Sequence, residues 1–196
     1  FDYGQKHNSE LQASINIANK YDIEHKIISL KDLGSLGGSS LTQDNLLVPD
    51  FIDNQNKQDK SYSDIPNTYV PCRNLIFISF ACAYAEIIKA SKIYIGVNAI
   101  DYSGYPDCRE EFIQAMQNTI NSGTKMGDEN CAPKLTTPLV DLTKAQIIKL
   151  GHSLSVDYGL SVSCYRANNK LQACGTCDSC TYRKQGFIDA GVSDPT

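Results

Sequence analysis

The sequence predicts an α/β fold, a parallel sheet with crossover helices, followed by a small C-terminal lobe built around four cysteines. Three observations predict it. Stretches of helical periodicity alternate with short β-branched runs, the rhythm of strands joined by crossover helices. A loop rich in chemistry, Asn98–Arg109, follows one such run, where parallel sheets hold their ligands. Four of the eight cysteines fall within Cys164–Cys180, spaced C-x9-C-x2-C-x2-C.

The chain opens on FDYGQKH, which reads as the last residues of a strand leading at once into a helix. From His7 to Tyr21 the apolar residues Leu11, Ile15 and Ala18 share one helical face. Ile23–Leu30 alternates and is β-branched, so it predicts a strand. The connection after it holds Gly37-Gly38-Ser39-Ser40. This is not read as a phosphate loop, because no buried strand enters it and no clear helix leaves it. It reads as a flexible surface loop, and the polar stretch 53–64 as another.

PNTYVPCRN, residues 66–74, is a proline turn that launches a helix over 75–90, apolar nearly all round and expected to be buried. Arg73 stands in its first turn, where a cation opposes the helix dipole unless something anionic lies nearby. A surface ion pair is the plainer account. Ile93–Val97 predicts a short strand ending at Asn98. In the loop that follows, Tyr102 or Tyr105 can stack on a flat heterocycle. Asp101 or Asp107 can accept from a purine-like amino edge, and Arg109 can hold a carboxylate or phosphate. The plainer account is a capping loop, with Asp107 as N-cap of a helix over 110–120. A further helix is expected over 144–150, opened by Lys144.

Composition excludes several classes. The formal net charge is −4 and the pI about 5.3, with no Lys/Arg run long enough to track a phosphate backbone, so nucleic acid is not the expected partner. No apolar stretch is long enough to span a membrane, and none reads as a signal peptide. Cys72, Cys82, Cys108 and Cys131 are scattered and read as reduced thiols, which places the protein in the cytoplasm.

In the tail, each C-x2-C step brings two sulfurs toward one ion, and Gly175 relieves the turn. Cys164, Cys174, Cys177 and Cys180 suit tetrahedral zinc with no open position, a structural site. Disulfides rarely place three cysteines three residues apart. An iron–sulfur cluster is the rival metal centre. Thr181 rather than proline follows Cys180, which favours zinc.

Beside these residues stands a resemblance. FDYGQKH, SSLT, VPD, IPNTYVPCRN, DYSGYPDCREEF, TPLVDLTKAQIIKLG and SCY…CGTCDSC occur in the order found in the 7-cyano-7-deazaguanine synthases, ligases of queuosine biosynthesis. The resemblance covers nearly the whole chain. It implies a Rossmann-like fold of the PP-loop, adenine-nucleotide hydrolase type, with residues 1–150 as the nucleotide and substrate domain and 151–196 as the zinc lobe. It implies ATP as co-substrate with magnesium, a deazapurine substrate, ammonia, one structural zinc per chain and a homodimer. By that resemblance Arg73 and Lys144 serve phosphate or adenylate charge, and Asp101, Tyr105, Asp107 and Arg109 the substrate.

Two departures stand out. Cys72 occupies a position where the family usually has Gly. The family's leading strand, SGGxDS phosphate loop and helix do not occur in the 196 residues. We therefore expect the chain to be part of a longer polypeptide, inactive if made alone, and the cofactor-binding residues stay unassigned. Two other readings remain open at this level: a sulfur-transfer enzyme of the same fold acting on a nucleobase, and a non-catalytic zinc-bearing remnant.

Overall fold

A computed structural model describes residues 1–51, 65–98, 104–168 and 170–196. They form two compact units, one of Phe1–Pro71 with Lys144–Thr196, the other of Cys72–Thr143. The first unit is thus discontinuous in the chain and shares its residues with the cysteine tail. The polar stretch 53–64 and Asp101 lie outside the described residues.

In the first unit, α1 (Ser9–Lys20) forms where the periodicity places it, with Ser9, Ala13 and Ala18 buried and Leu11 and Ile15 half-buried. The strand expected over 23–30 shrinks to a single parallel bridge between Asp2 and Ser29. Asp2 N–H donates to Ile28 O at 2.9 Å, and Asp2 O accepts from Leu30 N–H at 2.6 Å. Ile23 and Ile27 stay exposed, and within 23–30 the bonds to the Asp2 strand come from Ile28 and Leu30 alone among the described residues. A strand without a neighbour gains neither ladder bonds nor side-chain contacts.

Residues 37–48 correct the expectation of a flexible surface loop. After α2 (Lys31–Ser35), Gly37 and Gly38 both take positive φ, and Ser39 and Ser40 are fully buried. Ser39 O accepts from Thr42 and Gln43, and Ser40 N–H donates to Asn67 O at 2.8 Å. Lys6 secures the same turn, its Nζ donating to Gln43 O at 2.8 Å and Leu46 O at 2.9 Å. Both hydroxyls are also bonded, Ser39 Oγ accepting from Leu41 N–H at 3.2 Å and Ser40 Oγ donating to Asn67 Oδ1 at 3.2 Å, which lets the two serines be interior.

Two helices complete this unit, α6 (Lys144–Ser153) and α7 (Asp178–Ala190). They pack through Gly186. A Cβ there would meet Lys144 Cγ at 2.8 Å and Ile148 Cδ1 at 3.0 Å. Arg183 of α7 pairs with Asp194 through Nε and Nη2, each at 2.8 Å, and faces the Phe187 ring at 5.0 Å.

The second unit is a parallel βαβ arrangement. It runs α3 (Arg73–Ile88), β1 (Lys92–Tyr94), a 3-10 turn (Pro106–Cys108), α4 (Glu110–Gly123), α5 (Lys125–Asp128) and β2 (Lys134–Thr136). β1 and β2 pair in parallel with Ile93 opposite Leu135. The strand expected over 93–97 is shorter and begins one residue earlier. Ile78 and Cys82 of α3, Ile113, Met116 and Ile120 of α4, and Leu135 form the core. Gln117 ties helix to strand, accepting from Leu135 N–H at 2.7 Å and donating to Pro133 O at 3.2 Å.

The helix α3 is not buried all round. Ile78, Cys82 and Ala85 face the core, while Leu75, Ile87 and Ile88 are exposed, so one face alone carries the packing. Its N-cap is Cys72, at φ 57° and ψ 16°. Left-handed backbone costs a residue with a Cβ about 1–2 kcal/mol, which accounts for glycine at this place in the resembling family. Glycine returns part of that through the greater freedom of its unfolded chain. Cys72→Gly should therefore stabilise the protein by about 0.5–1 kcal/mol and raise Tm by about 2 °C. A calorimetric melt that shows Cys72→Gly no more stable than the parent would contradict the strain.

Candidate metal centre and substrate loop

The four tail cysteines converge. Their Sγ atoms all lie within 4.8 Å of one another, with Cys174 to Cys180 at 3.9 Å and Cys177 to Cys180 at 3.5 Å. Four thiolates at 2.3 Å from one tetrahedral ion stand about 3.8 Å apart. The donor set fits a single closed site. Cys164 and Cys177 are buried, Cys174 and Cys180 half-buried, and all four are free thiols.

Local structure builds the set. Gly175, at φ 78°, turns the chain between Cys174 and Cys177. Cys177 is the N-cap of α7, so Cys180 follows one turn into that helix. Backbone N–H groups are aimed at sulfur: Arg166 and Cys174 donate to Cys164 Sγ at 3.2 Å each, and Cys177 donates to Cys174 Sγ at 3.4 Å. Such bonds favour the thiolate, the form that binds metal. Burial pushes the Cys174 thiol up. The N–H groups of Thr176 and Cys177, with the Arg166 guanidinium, outweigh it and bring the thiol to about 5. Burial pushes Cys164 and Cys180 up instead.

Arg166 holds this tail to the rest of its unit. Its guanidinium pairs with Asp50 and donates to Val48 O at 3.2 Å, Thr176 Oγ1 at 2.6 Å and Cys174 Sγ at 3.6 Å. The hydrogen bonds from Thr176, then Arg166, hold the Asp50 carboxyl below its ordinary value. Asp50 also bridges Cys177 in antiparallel fashion, and Phe51 N–H donates to Thr176 O at 2.9 Å. Sequence reading missed both Arg166 and Asp50. Asp50 ends the VPD motif and Arg166 follows SCY directly, but 116 residues of separation hide the pairing from sequence.

In the loop, Asp107 is buried and its carboxylate faces a different helix from the one expected. Its Oδ2 accepts from Asn74 N–H at 3.1 Å, in the first turn of α3. The Asn74 amide returns the contact, donating to Asp107 O at 3.1 Å and to Cys108 Sγ at 3.4 Å. The N-cap position of α4 is Arg109, with no side-chain cap. Asp107 therefore caps α3 from 33 residues away. A carboxylate there opposes the cost of Arg73 in the same turn. Arg73 Nε donates to Asn74 Oδ1 at 3.3 Å, and its guanidinium lies 6.0 Å from the Phe77 ring.

Tyr105 is half-buried against the second unit's core, and Arg109 is exposed. Lys144 opens α6 with its stem on Gly186. Thus Arg73, Asn74 and Asp107 come together. Lys144 belongs to the other unit, and Asp101 lies outside the described residues.

Comparison with known proteins adds the family. The model of the family described as queuosine biosynthesis protein QueC matches residues 1–191. The chain belongs to the QueC family. It is 53% identical over 197 residues to a 7-cyano-7-deazaguanine synthase of Coxiella burnetii (strain RSA 331 / Henzerling II), covering 100% of this chain and 83% of that protein. A 7-cyano-7-deazaguanine synthase of Cellvibrio japonicus is 52% identical over 197 residues, with the same shares. One from Psychrobacter sp. (strain PRwf-1) is 51% identical over 199 residues, covering 100% of this chain and 77% of that protein. Family membership carries with it the adenine-nucleotide hydrolase type of fold that the parallel pairing of β1 and β2 reflects. Among the described residues no helix is long and apolar enough to cross a membrane.

Two outcomes follow from the geometry. Arg166→Met should lower metal affinity about ten- to hundredfold, the usual effect of losing a group that orients the ligands. Competition with a chromophoric chelator measures it, and parent-like affinity would show that Arg166 only packs the tail. Asp107→Asn should lower stability by about 1 kcal/mol through the weakened cap. Melting must be read beside turnover per folded molecule. A loss of turnover without a loss of stability would make Asp107 a substrate contact and not a cap.

Proposed function

We propose that the protein converts 7-carboxy-7-deazaguanine and ammonia into 7-cyano-7-deazaguanine at the expense of ATP. The observation that carries this is the match of the QueC family along residues 1–191, together with relatives of that printed name at about half identity.

The chemistry demands two activations. A carboxylate repels nucleophiles, and oxide is a poor leaving group. Transfer of AMP to the carboxylate releases diphosphate and creates a leaving group. Ammonia then displaces AMP and gives the amide. A second AMP transfer, to the amide oxygen, allows loss of AMP and two protons to leave the nitrile. The protein must hold a flat heterocycle and neutralise phosphate charge as it develops. We assign that charge to Arg73 and Lys144, with magnesium accompanying ATP. Asp101, Tyr105 and Arg109 are proposed to bind the deazapurine, with Asp107 holding the loop against α3 while it does so. Asp107 is well placed for this because its carboxylate is already engaged at Asn74.

The tail cysteines are proposed to hold one zinc per chain. Four sulfurs within 4.8 Å suit one ion. A multi-iron cluster spreads its thiolates over separate irons, so this spacing speaks against the sulfur-transfer reading. Four thiolates leave no position for water or substrate, so the metal is structural and does no chemistry. We take residues 1–150 as the substrate and nucleotide region and 151–196 as the zinc lobe, in a cytoplasmic homodimer.

The test is stoichiometric. The natural full-length protein, given ATP, magnesium, ammonium and the carboxylate, should form about two AMP and two diphosphate per nitrile, as the two activations require. Elemental analysis should find one zinc per chain. Arg73→Met should slow AMP formation without lowering Tm, since the cation it removes opposes the dipole of α3. Nitrile absent from the products, or iron with sulfide in the protein, would overturn this reading.

A further inference from the structure

Two cavities in the first unit share one side chain, His7. The larger, about 520 Å³, is lined by Lys6, His7, Asp50, Arg166 and the apolar run Leu47–Pro49. The smaller, about 70 Å³, is lined by Gln5, Glu10 and Cys164 as well as His7. The larger is of the size that takes a small organic ligand, and an apolar wall with a few polar groups is the usual makeup of such a site.

Its charge is one-sided. Lys6 Nζ is held by two backbone carbonyls and by no carboxylate among the described residues, so its charge is not cancelled by a partner. The acid on this wall, Asp50, is taken up by Arg166. Arg166 keeps its Nε buried with no hydrogen-bond partner among the described residues. Glu10, on the smaller cavity, accepts from Gln5 Nε2 at 3.0 Å. His7 is half-buried, and neither ring nitrogen has a hydrogen-bond partner among the described residues. A partly buried imidazole without a partner beside an uncompensated ammonium is an arrangement that an oxyanion completes.

We propose that this cavity is an oxyanion-binding site. His7 donates to a carboxylate or phosphate oxygen, Lys6 supplies the field, and Leu47–Pro49 covers the attached ring. This inference rests on the reaction proposed above, two of whose three substrates are anions: the deazapurine carboxylate and ATP. The nitrile product has lost the carboxylate, so it serves as the neutral control.

The experiment is equilibrium binding by calorimetry to the natural full-length protein and to His7→Gln and His7→Phe. Three ligands are titrated separately: the carboxylate substrate, ATP with magnesium, and the nitrile product. Metal content and Tm are recorded for each variant. In His7→Phe the affinity for one anion should fall at least tenfold, with the other anion and the nitrile within twofold. His7→Gln, which keeps a donor, should recover part of the loss. A fall for the carboxylate names the deazapurine as the source of the oxyanion, and a fall for ATP names the phosphate. Unchanged affinities for both anions, or an equal fall for all three ligands, overturn the site. Failure of the parent protein to bind either anion overturns the proposed reaction itself, and the site with it.

Discussion

The first unit depends on a single guanidinium. Arg166 reaches Val48, Asp50, Thr176 and Cys174 at once, and no other side chain among the described residues joins the cysteine tail to residues 48–50 by so many bonds. The physical reason lies in charge. Four thiolates on a divalent ion leave a net charge of about −2, and a fixed cation beside sulfur offsets part of it. Arginine suits the task because its planar fork serves several acceptors without losing its proton. The bonds from backbone N–H groups to Cys164 and Cys174 act in the same direction, so the loop is shaped around negative sulfur.

The second unit solves a different electrostatic problem. Arg73 stands where a helix repels cations, and Cys72 before it adopts a backbone that favours glycine. Both costs fall on one turn. Asp107 answers them by placing its carboxylate on the Asn74 N–H, with the Asn74 amide clasping the Asp107 and Cys108 end of the loop. A loop rich in chemistry is thereby made part of a helix terminus. Its position is fixed by hydrogen bonds in the interior, while Arg109 beside it remains exposed.

What could be read from the sequence was what is local. The helices at 9–20, 73–88, 110–123 and 144–153 announce themselves by periodicity or by apolar run, because each satisfies its own backbone. The four cysteines announce themselves by spacing. What escaped is what needs a distant partner. Ile23–Leu30 has the alternation of a strand, yet among the described residues it forms a single bridge, Asp2 with Ser29. Ser39 and Ser40 look like loop residues and are interior, since Asn67 and the Lys6 turn supply their bonds. Lys134–Thr136 has too few residues to show a pattern, and it becomes a strand because β1 and Gln117 present matching groups. Asp107 looked like a cap for the helix that follows it, and sequence proximity gave no hint of α3.

The discontinuity of the first unit also has a consequence in time. Residues 72–143 are contiguous and contain their own core, so they can pack while the chain is still being made. The first 71 residues must wait for Lys144 and beyond. Asp50 and Arg166 are 116 residues apart, an interval of about 6–23 s at ordinary rates of translation. During that interval the Val48 carbonyl lacks Arg166, its later partner, and the last thiol, Cys180, has yet to emerge. A nascent chain is therefore exposed to chaperones and oxidants on its N-terminal side for longer than in its middle. A site that needs all four sulfurs cannot close before Cys180 has been made.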